Sequence, residues 1–97
     1  MSDVIDGVLP ALDEKARLAG LSKTVKFDIK GEGAIILSQD GARRSDDDHV
    51  DLTVRTSAKT FLGLMEGTVN PTTAFIMGKI KIDGDMGLAM KLGQILG

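Results

Sequence analysis

Three short stretches of this chain alternate apolar and polar side chains with period two, and that pattern constrains the fold more than any other feature. Val25, Phe27 and Ile29 alternate with Lys26, Asp28 and Lys30; Val50, Leu52 and Val54 with Asp51, Thr53 and Arg55; Ile80 and Ile82 with Lys79, Lys81 and Asp83. Such alternation marks strands buried on one face and wetted on the other, as in antiparallel or mixed sheets and unlike doubly covered parallel ones. The wet face would carry charges of both signs and so read as a solvated surface rather than a binding patch. The run Ala34-Ile35-Ile36-Leu37 is too short for a helix, and Gln39-Asp40-Gly41 after it is a hairpin signal. It predicts a fourth strand, with Ala42-Arg43-Arg44 as a short fifth at a charge-protected edge and Ser45 to His49 as a polar loop.

Helical patterns flank the strands. Val4, Ile5, Val8, Leu9, Leu12, Ala16 and Ala19 recur at about 3.6 residues, with Ser2 placed to cap and Gly20 to close. Pro10 interrupts this run, which predicts two short helical pieces meeting there. Ser57 is placed to cap a helix over Ala58 to Glu66 with an apolar stripe of Ala58, Phe61, Leu62 and Met65, closed by Gly67. Asn70-Pro71 repeats the logic for a short helix reaching Phe75 to Met77 and stopped by Gly78. Asp85 caps the last helix, 86 to 96, whose Met86, Leu88, Ala89, Met90, Leu92, Ile95 and Leu96 make it apolar nearly all round.

Ninety-seven residues suffice for one domain, 1–97. No apolar stretch approaches the roughly 20 residues of a membrane span, and the N-terminus lacks the basic flank of a signal peptide. A cytoplasmic protein is expected. Twelve basic residues against fourteen acidic ones, with no arginine-rich stripe, give nucleic-acid binding no support. The absence of cysteine excludes disulfides and thiolate metal sites. Catalytic and metal inventories are thin: His49 follows Asp46, Asp47 and Asp48, but consecutive loop carboxylates point apart. Ser38, Ser45 and Ser57 lack a nucleophile elbow, and Gly31, Gly33 and Gly41 lack phosphate-loop spacing. No enzyme activity, metal or cofactor is expected.

Three Phe, no Tyr and no Trp, against five Met, leave flexible side chains to fill the interior. Four methionines, at 65, 77, 86 and 90, lie in the C-terminal third with Phe61 and Phe75, and methionine repacks around apolar guests. Pattern alone leaves two readings open, core filler or the wall of a cavity.

Residues 63–92 resemble the sterol carrier protein (sterol transfer) domain family. The resemblance is carried by Asn70-Pro71 with Ala74-Phe75, by Gly78-Lys79-Ile80-Lys81-Ile82, and by Gly84-Asp85-Met86-Gly87-Leu88-Ala89-Met90-Lys91-Leu92, in the family's order and spacing. Weaker similarity runs through Val25 to Gly31 and Val50 to Phe61. It implies an α+β fold, a five-stranded mixed, mostly antiparallel sheet with helices packed on one face around a hydrophobic tunnel. It further implies non-catalytic binding and transfer or presentation of fatty acids, fatty acyl-CoA, phospholipids or sterol-like molecules, with broad selectivity. On that reading the tunnel walls are Phe27, Ile29, Ile36, Leu52, Val54, Ile80 and Ile82 from the strands, with Phe61, Met65, Phe75, Met77, Met86, Leu88, Met90 and Leu92 from the helices. The alternative is an accessory domain that docks on a lipid-metabolising enzyme through its last helix. Transient membrane contact and a homo-dimer are left open as further partners. The ending Gln94-Ile95-Leu96-Gly97 carries no Ser-Lys-Leu address, so a bacterial cytosolic setting is expected over peroxisomal import.

Overall fold

The computed structural model describes residues 3–45 and 49–96. Its elements are α1 (Asp3–Ala19), β1 (Val25–Lys30), β2 (Gly33–Ser38), β3 (Gly41–Arg44), β4 (Leu52–Ser57), α2 (Ala58–Glu66), α3 (Pro71–Ile76), β5 (Ile80–Gly84) and α4 (Met86–Leu96). The sheet order is β3-β2-β1-β4-β5, antiparallel throughout except for the parallel β1–β4 pair. The expected five-stranded mixed sheet is therefore present. β4 begins at Leu52, so Val50 lies before the strand.

Register assigns each side chain to a face. Val25, Phe27 and Ile29 stand beside Leu37 and Ile35 on one side and Leu52, Val54 and Thr56 on the other. These residues are buried under the helices, where Phe27 and Phe61 of α2 meet with ring centroids 5.3 Å apart, tilted by 57°. Ile36 is buried as well, but on the opposite face, where it pairs with Lys26. The unbroken run Ala34 to Leu37 offers no alternation to choose a parity, and a one-residue change of parity moves a side chain to the other face. Ile36 is therefore corrected from a tunnel wall to the helix-free face. Lys26 also departs from expectation: it is buried on that face, in register with Ile36 on one side and Thr53 on the other.

α1 is one continuous helix, not two pieces. Pro10 removes one backbone donor, but both Pro10 and the residue four positions earlier, Asp6, are exposed, so water can serve the carbonyl left over. Ile5, Val8, Leu12 and Ala16 form one buried stripe across the proline, and packing prevails over the local break. Asp13 fastens α1 to the edge strand by accepting a hydrogen bond from the Ala42 backbone N–H (2.9 Å), and Asp6 pairs with Arg44 at 2.6 Å. Gly41 has φ +117, and a Cβ there would collide with the Asp13 carboxylate. The expected cap at Ser2 and the loop carboxylates Asp46 to Asp48 lie outside the described residues.

Candidate functional site

Three local caps fix the helices that build the site. Ser57 accepts from the Thr60 N–H, and Gly67 closes α2 in the left-handed conformation. Asn70 Oδ1 accepts from the N–H groups of Thr72 and Thr73, at 2.9 and 3.1 Å, with Pro71 as the first helical residue of α3. Asp85 Oδ1 accepts from the Leu88 N–H at 3.1 Å while Oδ2 binds the Lys23 ammonium at 2.5 Å. That ammonium, then the Leu88 N–H, holds the Asp85 carboxyl below its ordinary range; the same hydrogen bond and charge raise Lys23.

Between α3, α4 and the sheet lies a cavity of about 600 Å³. Phe27, Val54, Ile80 and Ile82 form its floor, Leu64 of α2 its inner end, and Asn70, Pro71, Thr72 and Phe75 one side. Met86, Ala89, Met90, Leu92, Gly93 and Gln94 of α4 form the other. Helical spacing explains the division of labour on α4: Leu88 is turned to the core and Leu92 borders both core and cavity, while Met86, Ala89, Met90 and Gly93 recur at three and four residues along the cavity side. Met90 is 75% exposed and Met86 50%, so the cavity opens to solvent along α4.

Its chemistry is simple. Among the described residues no charged side chain lines it; the polar lining side chains described are Asn70, Thr72 and Gln94. It can therefore take an apolar body, with amide and hydroxyl groups for a polar end, and the described lining offers no carboxylate, imidazole or ammonium for acid–base work. Its volume falls in the range of about 300–1,000 Å³ usual for small-molecule sites. Among the described residues no group of His, Asp or Glu is placed to hold a metal ion, and no helix is long and apolar enough to cross a membrane.

Eight of the fifteen residues expected as tunnel walls meet here: Phe27, Val54, Phe75, Ile80, Ile82, Met86, Met90 and Leu92. The rest lie elsewhere. Ile29 and Leu52 point to the helix side but belong to the packed core at either end of their strands, and Phe61 sits in the core against Phe27. Leu88 faces the core, Met65 is half-buried against it, Met77 is exposed at the end of α3, and Ile36 is on the other face. Parity selects a face of the sheet; it does not say between which helices a gap will open. Leu64, Asn70, Pro71, Thr72, Ala89, Gly93 and Gln94 escaped sequence reasoning. A signal existed for two of them: Ala89 and Gly93 follow Met86 at three and seven residues, small side chains on a shared helical face.

Comparison with known proteins agrees with this architecture. The profile described as the SCP-2 sterol transfer family matches residues 5–97. Sterol carrier protein 2 of Bos taurus is 40% identical over 77 residues, covering 78% of this chain but only 13% of that protein. The solution structure of the sterol carrier protein domain 2 of Helicoverpa armigera superposes with a TM-score of 0.79 at 25% identity, covering 96% of this chain and 85% of that one. Sterol Carrier Protein - 2 from Aedes aegypti, solved in complex with the C16 fatty acid palmitate, gives 0.81 at 18% identity, covering 100% and 97%. With a profile matched along nearly its whole length and the five-stranded sheet shared, the chain belongs to the SCP-2 sterol transfer family.

Proposed function

We propose that this chain binds a lipid by its apolar chain in the cavity between α3, α4 and the sheet, and carries or presents it without chemical change. The uncharged apolar cavity carries this reading, and the fatty-acid complex of the Aedes aegypti relative supports it. Fatty acids, fatty acyl-CoA, phospholipids and sterol-like molecules share the required apolar body. The polar end sits with Asn70, Thr72 or Gln94 or stays in water, since the described lining offers no counter-charge. Burying about 16 methylenes at roughly 0.8 kcal/mol each gives near 13 kcal/mol gross, and association and ordering costs reduce this to micromolar to nanomolar affinity.

Selectivity is broad on this reading. Shape supplies most of the energy, and Met86 and Met90 can repack, so chains of several lengths bind within about tenfold of one another. A second reading rests on the same exposed methionines: α4 docks against a lipid-metabolising enzyme and presents the lipid there. Organic extraction and mass spectrometry of the purified protein, with melting temperatures before and after delipidation and on adding fatty acid, test the lipid reading. Co-purified lipid or a thermal rise on addition is expected; neither one nor the other would refute it.

A further inference from the structure

All the sulfur in this chain is thioether: it has five methionines and no cysteine, with no tryptophan or tyrosine either. A two-electron oxidant such as a peroxide therefore reacts at methionine, with no thiol to take it first. The four methionines within the described residues are not equally open to it. Met65 is half-buried against the core, whereas Met77 (63% exposed), Met86 and Met90 all stand in solvent. Of these three, Met86 and Met90 line the cavity and Met77 does not.

Met86 and Met90 stand four residues apart on α4 and so on one side of the helix, where Ala89 and Gly93 are too small to take over their share of the wall. Asp85 holds the start of this helix through the Leu88 N–H and the Lys23 ammonium, which gives the two thioethers a fixed frame. Oxidation turns each from a flexible apolar group into a polar one whose oxygen accepts hydrogen bonds. An acyl chain has no donor to offer. A sulfoxide pressed against the chain is a buried acceptor without a partner, and one turned to water withdraws its part of the wall. Both outcomes favour the empty, hydrated cavity over the filled one.

We propose that Met86 and Met90 form a reversible oxidation site through which a peroxide lowers the lipid affinity of the cavity. This inference rests on the lipid-binding reading above and adds a regulation to it. In the reaction the thioether sulfur gives an electron pair to one oxygen of hydrogen peroxide, and the S–O bond forms as the O–O bond breaks. The proton on the transferred oxygen passes to the departing hydroxide, which leaves as water; sulfur is oxidised by two electrons and the peroxide reduced by two. Methionine sulfoxide reductases, one for each sulfoxide epimer, reverse the change. Bound lipid covers the same two side chains, so the empty protein is the form that is modified.

The test is graded hydrogen peroxide treatment of the full chain, with and without palmitate, read by peptide mass spectrometry and by titration with a fluorescent fatty acid. Sulfoxide is expected at Met86 and Met90 well ahead of Met65, and more slowly with palmitate present. The oxidised protein should bind the fatty acid about tenfold more weakly or worse while its unfolding in urea stays cooperative, and the reductases should restore its affinity. Met86→Leu with Met90→Leu, judged against its own untreated affinity, keeps that affinity through the same treatment, whereas Met77→Leu loses affinity as the wild type does. Oxidation that reaches Met65 as fast, that leaves fatty-acid affinity unchanged, that acts by unfolding the chain, or that weakens the double variant as much as the wild type overturns the proposal and leaves the lipid reading standing. An untreated chain that binds no fatty acid refutes that reading and this proposal with it.

Discussion

α1 and α4 pack on the same face of one sheet and use their apolar side chains in opposite ways. α1 is the more polar helix, yet Ile5, Leu12 and Ala16 are entirely buried, and its charged residues tie it to β3 through Asp6–Arg44 and Asp13–Ala42. α4 is apolar around most of its circumference, yet buries Leu88 and Leu92 and leaves Met86 and Met90 in contact with solvent. The comparison teaches that apolar content is not a measure of burial: where a helix has more apolar surface than its neighbours cover, the surplus marks a surface kept for something else. In α4 that surplus lines a cavity.

If the two helices differ in this way, substitutions should separate them. Leu12→Ala in α1 costs about 3 kcal/mol of unfolding free energy by urea titration, as expected for a fully buried leucine. Met90→Ala in α4 stays within about 0.5 kcal/mol of wild type. Equal costs would break the comparison. Next in size, Gly41→Ala costs about 2 kcal/mol by the same measurement, because its φ is disfavoured for alanine and the added Cβ would displace the carboxylate that joins α1 to β3. Asn70→Ala removes the cap of α3 and costs about 1 kcal/mol, and it sharpens the contrast by loosening the cavity side alone.

The smallest effect concerns the start of α4. Asp85 is held below its ordinary pKa, so its contribution is present above the unfolded carboxyl pKa and is lost as pH falls through the lower folded value. Lys23 is raised, so its contribution holds at neutral pH and is lost only as pH rises through the folded ammonium pKa. Asp85→Ala therefore lowers the melting temperature slightly at neutral pH, and the gap to wild type narrows on acidification below the carboxyl range. A gap that widens there would contradict the pairing.

Capping was legible because it is local chemistry. Ser57, Asn70-Pro71 and Asp85 start helices through side chains within a turn, and Gly67 and Gly78 follow the ends of α2 and α3 with a backbone at positive φ. Alternation showed which sides of β1, β4 and β5 turn inward for the same reason. Ile36 could not be placed, since a run without alternation has two equivalent parities until its partners are known. Pro10 misled because its effect is local while the buried stripe it interrupts is tertiary. The cavity falls between these cases: its sheet floor follows from parity, but its sides depend on how far α3 stands from α4. That separation is visible at Gly93, where an added Cβ would rest 3.6 Å from the ring of Pro71.

The central claim is that the space between α3, α4 and the sheet receives an acyl chain, and filling that space from the protein's own side tests it most directly. Ala89 is half-buried on the cavity side of α4, so Ala89→Trp places an indole where the chain would lie. Titration of palmitate against both proteins, followed by calorimetry, should show saturable micromolar or tighter binding to the wild type and at least tenfold weaker binding to Ala89→Trp. The variant's unfolding should remain cooperative. Palmitate binding undiminished in a folded Ala89→Trp protein would place the lipid elsewhere and contradict the account.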